Sequence, residues 1–241
     1  MFATAISWLS SLLSPSQCEA CSREVFFPAI LCSPCAGELL PLPENQCCRC
    51  ALPLKESAAL KCESCLQVPP AFEAVWAPWT YGGAVAELIK GGKYRGRPGL
   101  LAHLVKGASA ESIETLLDWA PDGMVPVPLA TGRLWNRAYN QSVLLAEHWR
   151  RRLGNAMPIC YSEIKRRRQT PQAGLNRKER LAALRGTFRI HDPRIFSNKK
   201  WLIVDDVMTT GATAEALSRC LLNAGARAVG VLVLARVEKL T

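Results

Sequence analysis

The sequence lacks several features that mark common protein classes. None of its 241 residues belongs to an uninterrupted apolar stretch of about 20 residues, which a membrane span requires. No Lys or Arg precedes Cys18, and a basic start is part of a secretory signal peptide. Residues 2–13 instead predict a short helix with Ile6, Leu9 and Leu13 on one side. We therefore expect a cytoplasmic protein without a membrane span.

Cysteine is scarce over most of the chain. Of the 11 cysteines, only Cys160 and Cys220 lie beyond residue 65. The other cysteines are crowded into a short segment, which favours a small separate module. The two prolines in Gln67–Pro70 disfavour helix and suggest a boundary. We expect an amino-terminal helix and cysteine module over residues 1–70 and a larger domain over residues 71–241.

The crowded cysteines form four Cys-x-x-Cys pairs, with ten, eleven and eleven residues between successive pairs. Each pair can bring two thiolates to one ion, and a structural zinc site takes four, so the pattern predicts two zinc ions. Disulfides and a redox motif are the alternatives, but cytosolic thiols stay reduced and no βαβ pattern surrounds the pairs. The spacing leaves open which pairs share an ion, although short loops favour the first with the second and the third with the fourth. The predicted ligands, which exclude the adjacent Cys48, are Cys18, Cys21, Cys32, Cys35, Cys47, Cys50, Cys62 and Cys65.

Positive charge is concentrated in one stretch. The net charge of the chain is +10, and residues 150–189 carry the whole excess, since their 12 Lys or Arg residues face only Glu163 and Glu179. Such a local field predicts a polyanionic partner, either a phosphorylated small molecule or nucleic acid. The part from Lys165 to Gln172 has no apolar periodicity, so we expect a mobile arm there and not a core strand.

A strand, a helix and a second strand are predicted near the carboxyl end. Trp201–Val204 and Val229–Leu234 are apolar runs typical of strands buried on both faces of a parallel sheet. Apolar residues at helical spacing between them predict a helix from Ala214 to Ala224, which Gly225 ends. The two strands and the helix form a β-α-β unit, whose crossover should be right-handed. Such a unit predicts an α/β fold with a mostly parallel sheet flanked by helices.

The turn between this strand and this helix is the main candidate for a ligand site. A turn rich in hydroxyls, with a glycine at a helix start, presents backbone N–H groups and the positive helix end to a phosphate. The two preceding aspartates suit vicinal ribose hydroxyls, or a Mg²⁺ ion through water. A ribose 5-phosphate satisfies both halves, whereas a nucleoside triphosphatase would need a Gly-x4-Gly-Lys-Ser/Thr sequence that is missing. The predicted contacts are Asp205, Asp206, Thr209, Thr210, Gly211, Ala212 and Thr213.

Other polar residues could bind a second anion. Arg137 follows the apolar run Met124–Leu129, and its planar guanidinium can bind a phosphate through two parallel hydrogen bonds. The basic arm could close over a pyrophosphate or lie along a nucleic-acid backbone. No residue stands out as a catalytic base, and we assign none. The predicted pyrophosphate or nucleic-acid contacts are Arg137, Arg168, Thr170, Gln172, Arg177 and Arg180.

The order of these motifs resembles the ComF/GntX family. The acid pair and threonine-rich turn resemble the phosphoribosyl pyrophosphate motif of type I phosphoribosyltransferases. The sequence departs from the ComF/GntX pattern in two places: Ala138-Tyr139 replaces Gly-Phe, and the Asn expected a few residues after Arg180 is absent. After the cysteine pairs, the shared segments are Lys93-Tyr94-Arg95-Gly96-Arg97, Val125-Pro126-Val127-Pro128-Leu129, Arg137-Ala138-Tyr139-Asn140-Gln141-Ser142, Arg168-x-Thr170-x-Gln172, Arg177-x2-Arg180 and the acid pair with its threonine-rich turn, residues 205–213.

This resemblance implies a double zinc ribbon joined to a type I phosphoribosyltransferase-like domain that uses Mg²⁺ with phosphoribosyl pyrophosphate. It also implies a role in natural transformation or in the use of external DNA, alongside DNA-uptake and recombination proteins. Three functions remain open. The first is a protein that binds phosphoribosyl pyrophosphate or a nucleotide and contacts single-stranded DNA. The others are a true phosphoribosyltransferase, which releases pyrophosphate, and a zinc-stabilised scaffold with a vestigial pocket.

Overall fold

The computed structural model describes residues 16–26, 28–55, 59–129, 139–154, 156–167 and 186–238. The helix predicted over residues 2–13 lies outside these ranges, as do all six predicted pyrophosphate or nucleic-acid contacts. Within the described ranges, no helix combines the length and the apolar character that crossing a membrane would require.

The cysteine-rich part contains little regular structure. Strand β1 (Ser16–Gln17) pairs antiparallel with β2 (Glu24–Val25). The short helices α1 (Ser33–Gly37) and α2 (Glu63–Gln67) each begin directly after a cysteine and carry the second cysteine of that pair in a buried position. The two halves of this region therefore repeat one plan, in which a turn supplies one cysteine pair and the start of a helix supplies the other.

The larger part of the chain alternates strands and helices. A short 3-10 helix at Pro193–Ile195 separates the last antiparallel strand from the final β-α-β unit. In chain order the elements are β3 (Val75–Trp76), β4 (Trp79–Thr80), α3 (Gly83–Tyr94), α4 (Gly99–Lys106), α5 (Ala110–Asp118), β5 (Gly123–Pro126), α6 (Gln141–Arg152), β6 (Ile164–Arg166), β7 (Phe188–Ile190), β8 (Lys200–Met208), α7 (Ala212–Asn223) and β9 (Ala228–Arg236).

Five of these strands form a parallel sheet. The order is β3-β9-β8-β5, and β4 also pairs with β9. The predicted strands at Trp201–Val204 and Val229–Leu234 are confirmed but extend further, because Val207 and Met208 still pair with β9. The two aspartates thus lie inside β8 and not beyond its end.

Side chains of β8 alternate between two cores, as the period of a strand requires. Leu202 and Val204 pack in one core with α3, α4, α5 and α6, whereas Trp201 and Ile203 pack in the other with α7. The sheet is therefore covered by helices on both faces, which confirms the predicted α/β fold.

The expected arm departs from the prediction at its beginning. Lys165 and Arg166 belong to β6, which pairs antiparallel with β7 outside the central sheet. Ile164 and Phe188 are buried, so this hairpin has an apolar anchor on the body of the protein. The local pattern around Lys165 could not indicate a strand, because the pairing segment lies beyond the arm; residues 168–185 lie outside the described ranges.

The cysteine region packs directly on the sheet. The segment between its two halves runs along the edge strand β4, where Pro41 bridges Trp79 and backbone bonds join Leu40 to Thr80 and Leu42 to Pro78. Cysteines of the first half join the core on the α3–α4 face, and those of the second half join the core on the α7 face. The region therefore straddles one sheet edge, and the boundary near residue 70 stays a prediction.

Candidate functional site

The eight cysteines form two groups of four. In each group the sulfur atoms all lie within 4.8 Å of one another. Zinc bonded to sulfur at about 2.3 Å in a tetrahedron places the sulfurs a little under about 4 Å apart, and Cys21 Sγ lies 3.6 Å from Cys32 Sγ. We call Cys18, Cys21, Cys32 and Cys35 the first tetrad, and Cys47, Cys50, Cys62 and Cys65 the second tetrad. Both tetrads could hold zinc, and the sequential pairing favoured by the loop lengths is confirmed.

One cysteine in each tetrad has a lowered pKa, which favours its thiolate form. Burial by itself would raise the pKa of Cys18, but neighbouring backbone amides, first that of Cys32, lower it to about 6. In the second tetrad burial likewise acts to raise the pKa of Cys47, and amides, first that of Cys62, bring it down to about 7. Burial instead raises the pKa of Cys35 and Cys65, and that of Cys50 to about 11, so a metal that needs thiolates would release protons from these residues on binding. Cys48 is exposed and belongs to neither tetrad, as expected.

The two aspartates of β8 have different partners. Asp205 is half-buried, and its Oδ1 accepts a hydrogen bond from Ser142 Oγ at 3.0 Å and from the Asp206 backbone N–H at 3.0 Å. Burial first, and then the charge of Asp206, raise the pKa of Asp205 to about 7. Two adjacent carboxylates in a partly dry site repel each other, so the site favours a ligand that donates hydrogen bonds to them.

The second acid makes an ion pair that the sequence did not reveal. Lys93 Nζ, on the last turn of α3, lies 2.7 Å from Asp206 Oδ2, and the two side chains are only 17% and 14% exposed. Lys93 appeared in the sequence only as part of a family motif, without a predicted role. Its charge offsets part of the repulsion between the acids, and no local signal connects α3 to β8.

The loop after β8 has the geometry of an anion site. Gly211 caps α7 in the left-handed conformation, with φ 76°, and a Cβ at this position would lie 2.5 Å from Met208 Cε. Ala212 N–H contacts Thr210 Oγ1 at 3.4 Å. Among the described residues, the N–H groups of Thr209, Thr210 and Gly211 donate to no backbone carbonyl. These amides and the start of a 12-residue helix remain available to a phosphate.

The motif at the start of α6 holds the acid side of the site in place. Asn140 Oδ1 accepts from Ser142 N–H at 3.0 Å, while Asn140 Nδ2 donates to Val127 O at 3.2 Å. The Tyr139 hydroxyl donates to Gly92 O on α3. This segment therefore connects the end of β5 to α3 and aims Ser142 at Asp205, so Asn140 serves structure more directly than it serves an anion.

An open cleft adjoins the ion pair. Its volume is about 350 Å³, and its lining includes Tyr81, Lys93 and Tyr94. Two further cations of the lining are already paired, since Lys90 and Arg95 each lie 2.8 Å from Glu87. Lys93 is the residue that this cleft shares with the ion pair to Asp206.

Comparisons with known proteins agree with this architecture. The chain matches the family model described as phosphoribosyl transferase domain over residues 101–241. It is 30% identical to competence protein F of Haemophilus influenzae over 211 residues, which cover 86% of this chain and 90% of that protein. It is 31% identical to DNA utilization protein YhgH of Escherichia coli over 209 residues, with coverage of 86% and 90%.

A third relative is less similar in sequence. Competence protein ComFC of Streptococcus pneumoniae is 27% identical over 212 residues, which cover 86% of this chain and 87% of that protein. Because 86% of the chain is covered, the similarity extends beyond the domain at residues 101–241 into the part of the chain that precedes it. The chain belongs to the ComF/GntX family of competence and DNA utilization proteins and carries a phosphoribosyl transferase domain.

Proposed function

We propose that this protein binds a phosphoribosyl ligand, phosphoribosyl pyrophosphate or a nucleotide, and contacts single-stranded DNA during DNA uptake or utilisation. The observation that carries the ligand half is the placement of two half-buried acids three to six residues before loop amides that, among the described residues, donate to no backbone carbonyl. The acids would accept hydrogen bonds from the ribose hydroxyls. The amides of Thr209–Thr213 would bind the 5-phosphate, and Mg²⁺ would arrive with the pyrophosphate.

Calorimetry tests the ligand half. Phosphoribosyl pyrophosphate with Mg²⁺ should bind the wild-type chain, and Asp205→Asn combined with Asp206→Asn should weaken binding by at least about tenfold, because charged hydrogen bonds to the ribose are lost. Asp118→Asn, an exposed acid at the end of α5, is the matched control and should bind like wild type. A wild-type chain that gives no heat would support the scaffold alternative, and steady pyrophosphate release with a nucleobase would support the transferase alternative.

The β6–β7 hairpin supports the nucleic-acid half. Lys165 and Arg189 are exposed and lie directly opposite each other in the antiparallel register. Like charges in such a pair destabilise a hairpin, so a bound phosphate backbone would relieve their repulsion. The predicted pyrophosphate or nucleic-acid contacts Arg137, Arg168, Thr170, Gln172, Arg177 and Arg180 lie outside the described residues, and we propose that they contact a pyrophosphate or a DNA strand.

Anisotropy with a fluorescent oligothymidylate tests this surface. Binding should weaken as salt rises, because neutralised phosphates release counterions. Lys165→Gln with Arg189→Gln should lower the salt slope by about 1 to 2 units. Lys55→Gln with Lys61→Gln makes the same charge change on exposed residues of the cysteine region and should leave the slope nearly unchanged. If the salt slope decreases equally in both double variants, the effect comes from the general charge of the protein and not from a binding surface on β6 and β7.

A further inference from the structure

Arg236, the last residue of β9, joins two parts of the molecule that are far apart in sequence. It is only 5% exposed, and its guanidinium lies within hydrogen-bond distance of four backbone carbonyls. Nε lies 2.9 Å from Cys50 O in the second tetrad. Nη1 lies 2.9 Å from Met208 O, 2.6 Å from Thr209 O and 2.7 Å from Val237 O. One side chain therefore bridges a cysteine turn and the candidate phosphate loop.

The bridge fixes the direction of the loop amides. In a planar trans peptide the C=O and the following N–H point in opposite directions. Because Arg236 holds the carbonyls of Met208 and Thr209, the N–H groups of Thr209 and Thr210 point away from the guanidinium. These are amides without a backbone partner among the described residues. A positive group behind the loop also favours an anion in front of it.

The other end of the bridge is tied to the charge of the second tetrad. Four thiolates around one divalent ion leave a net negative charge. A buried guanidinium is stable when its hydrogen bonds and charge are compensated. A metal-held Cys50 turn supplies both a rigid carbonyl and the compensating charge.

In the part of the chain that the structure describes, the first tetrad has no comparable link to the loop. Its cysteines pack with α3 and α4 on the opposite face of the sheet. Its polar connection to the domain is the ion pair of Glu19 with Arg97, near the start of α4. The first tetrad therefore serves as a control, since the two tetrads share one plan and, within the described residues, the second is the one joined to the loop through Arg236.

We infer that Arg236 is a positioning residue that couples zinc at the second tetrad to anion binding at the Met208–Thr213 loop, so that each stabilises the other. Such coupling is reciprocal: zinc should tighten anion binding, and the anion should slow zinc loss. The metal half of the inference stands by itself, whereas the anion half rests on the proposed function.

Amide hydrogen exchange tests the metal half without any ligand. Cys62→Ser should release the second zinc and speed exchange across the loop by about fivefold to tenfold, because the Cys50 turn no longer holds Arg236. Cys32→Ser should release the first zinc and leave loop exchange within about twofold of wild type. Equal acceleration in both variants, or none in Cys62→Ser, would overturn the inference.

Zinc release into the chelator pyridylazoresorcinol tests the reciprocal half. In the wild-type chain, phosphoribosyl pyrophosphate should slow release from the second tetrad by about fivefold or more and leave release from the first tetrad unchanged. Arg236→Met should abolish this protection, and Arg236→Lys, which keeps the charge but fewer hydrogen bonds, should restore part of it. If phosphoribosyl pyrophosphate slows zinc release equally from both tetrads of the wild-type chain, or from neither, the coupling is contradicted. This comparison holds even if Arg236→Met fails to fold.

The two halves can fail separately. If phosphoribosyl pyrophosphate does not bind the wild-type chain, the proposed function fails, and loop exchange in Cys62→Ser still decides whether the metal positions the loop. If the ligand binds but protects neither tetrad or both equally, the proposed function survives and the coupling does not.

Discussion

The two cysteine tetrads are built from the same pattern but meet different surroundings. The first tetrad packs beside α3 and α4, and its polar link to the domain is an exposed ion pair. The second tetrad packs on the α7 face, and its Cys50 carbonyl is held by a buried arginine that also holds the loop after β8. Nearly identical spacing therefore predicts the same metal chemistry in both tetrads but says nothing about what each metal supports.

The largest expected effect removes the metal itself. Cys32→Ser and Cys62→Ser should each lower the zinc content by about half and destabilise the chain by several kcal/mol, because metal binding on the order of 10 kcal/mol supplies the folding energy of such regions. Mass spectrometry under native conditions and thermal unfolding measure both quantities. Cys48→Ser, at an exposed cysteine outside the tetrads, is the control and should change neither. Full zinc content in Cys62→Ser would contradict the assignment of the second tetrad.

A loop substitution should have the next largest effect. Gly211→Ala places a Cβ 2.5 Å from Met208 Cε at φ 76°, so we expect a loss of about 1 to 3 kcal/mol from strain and crowding together. Gly96 has φ 66° with nothing within 4 Å of an added Cβ, so Gly96→Ala isolates the conformational part, about 1 kcal/mol. Chemical denaturation measures both. If the two variants lose the same stability, crowding by Met208 contributes nothing.

The acid pair should make stability depend on pH. Burial, and then the charge of Asp206, raise the pKa of Asp205 to about 7, from an ordinary value of 3.8. The folded chain therefore binds a proton that the unfolded chain has released, so unliganded stability should fall as pH rises from about 4 to about 7 and level off above that range. Asp205→Asn should become more stable relative to wild type over the same range. Denaturation at pH 5 and pH 8 measures the difference, and an equal difference at both values would contradict the raised pKa.

Part of this site followed from the sequence alone. The apolar runs predicted β8 and β9, the cysteine spacing predicted both tetrads, and Gly211 with its neighbouring threonines predicted the loop, because these patterns are local and set by backbone period, ligand geometry and helix capping. The exact end of β8 was not predictable, since Val207 and Met208 extend it only through pairing with β9.

The partners of the charged residues did not follow from the sequence. Lys93 and Ser142 contact the acids from two different helices. In the sequence, Arg236 is recognisable only as a charged residue at the end of an apolar strand. Such pairings depend on how elements pack across the sheet, which no local period encodes. The one available signal for Arg236 was its position, because a cation directly after a continuous buried run needs a specific partner.

The smallest expected effect concerns the outer link of the first tetrad. Arg97 is 57% exposed where it meets Glu19, so Arg97→Ala should cost about 0.5 kcal/mol or less, since solvent and salt screen exposed pairs. It should also leave exchange of the Met208–Thr213 loop unchanged, in contrast to Arg236→Lys, which alters a residue only 5% exposed. Denaturation and hydrogen exchange of both variants measure this contrast. If hydrogen exchange of the loop accelerates equally in Arg97→Ala and Arg236→Lys, both tetrads stabilise the anion site. The two tetrads would then differ only in how strongly they stabilise it.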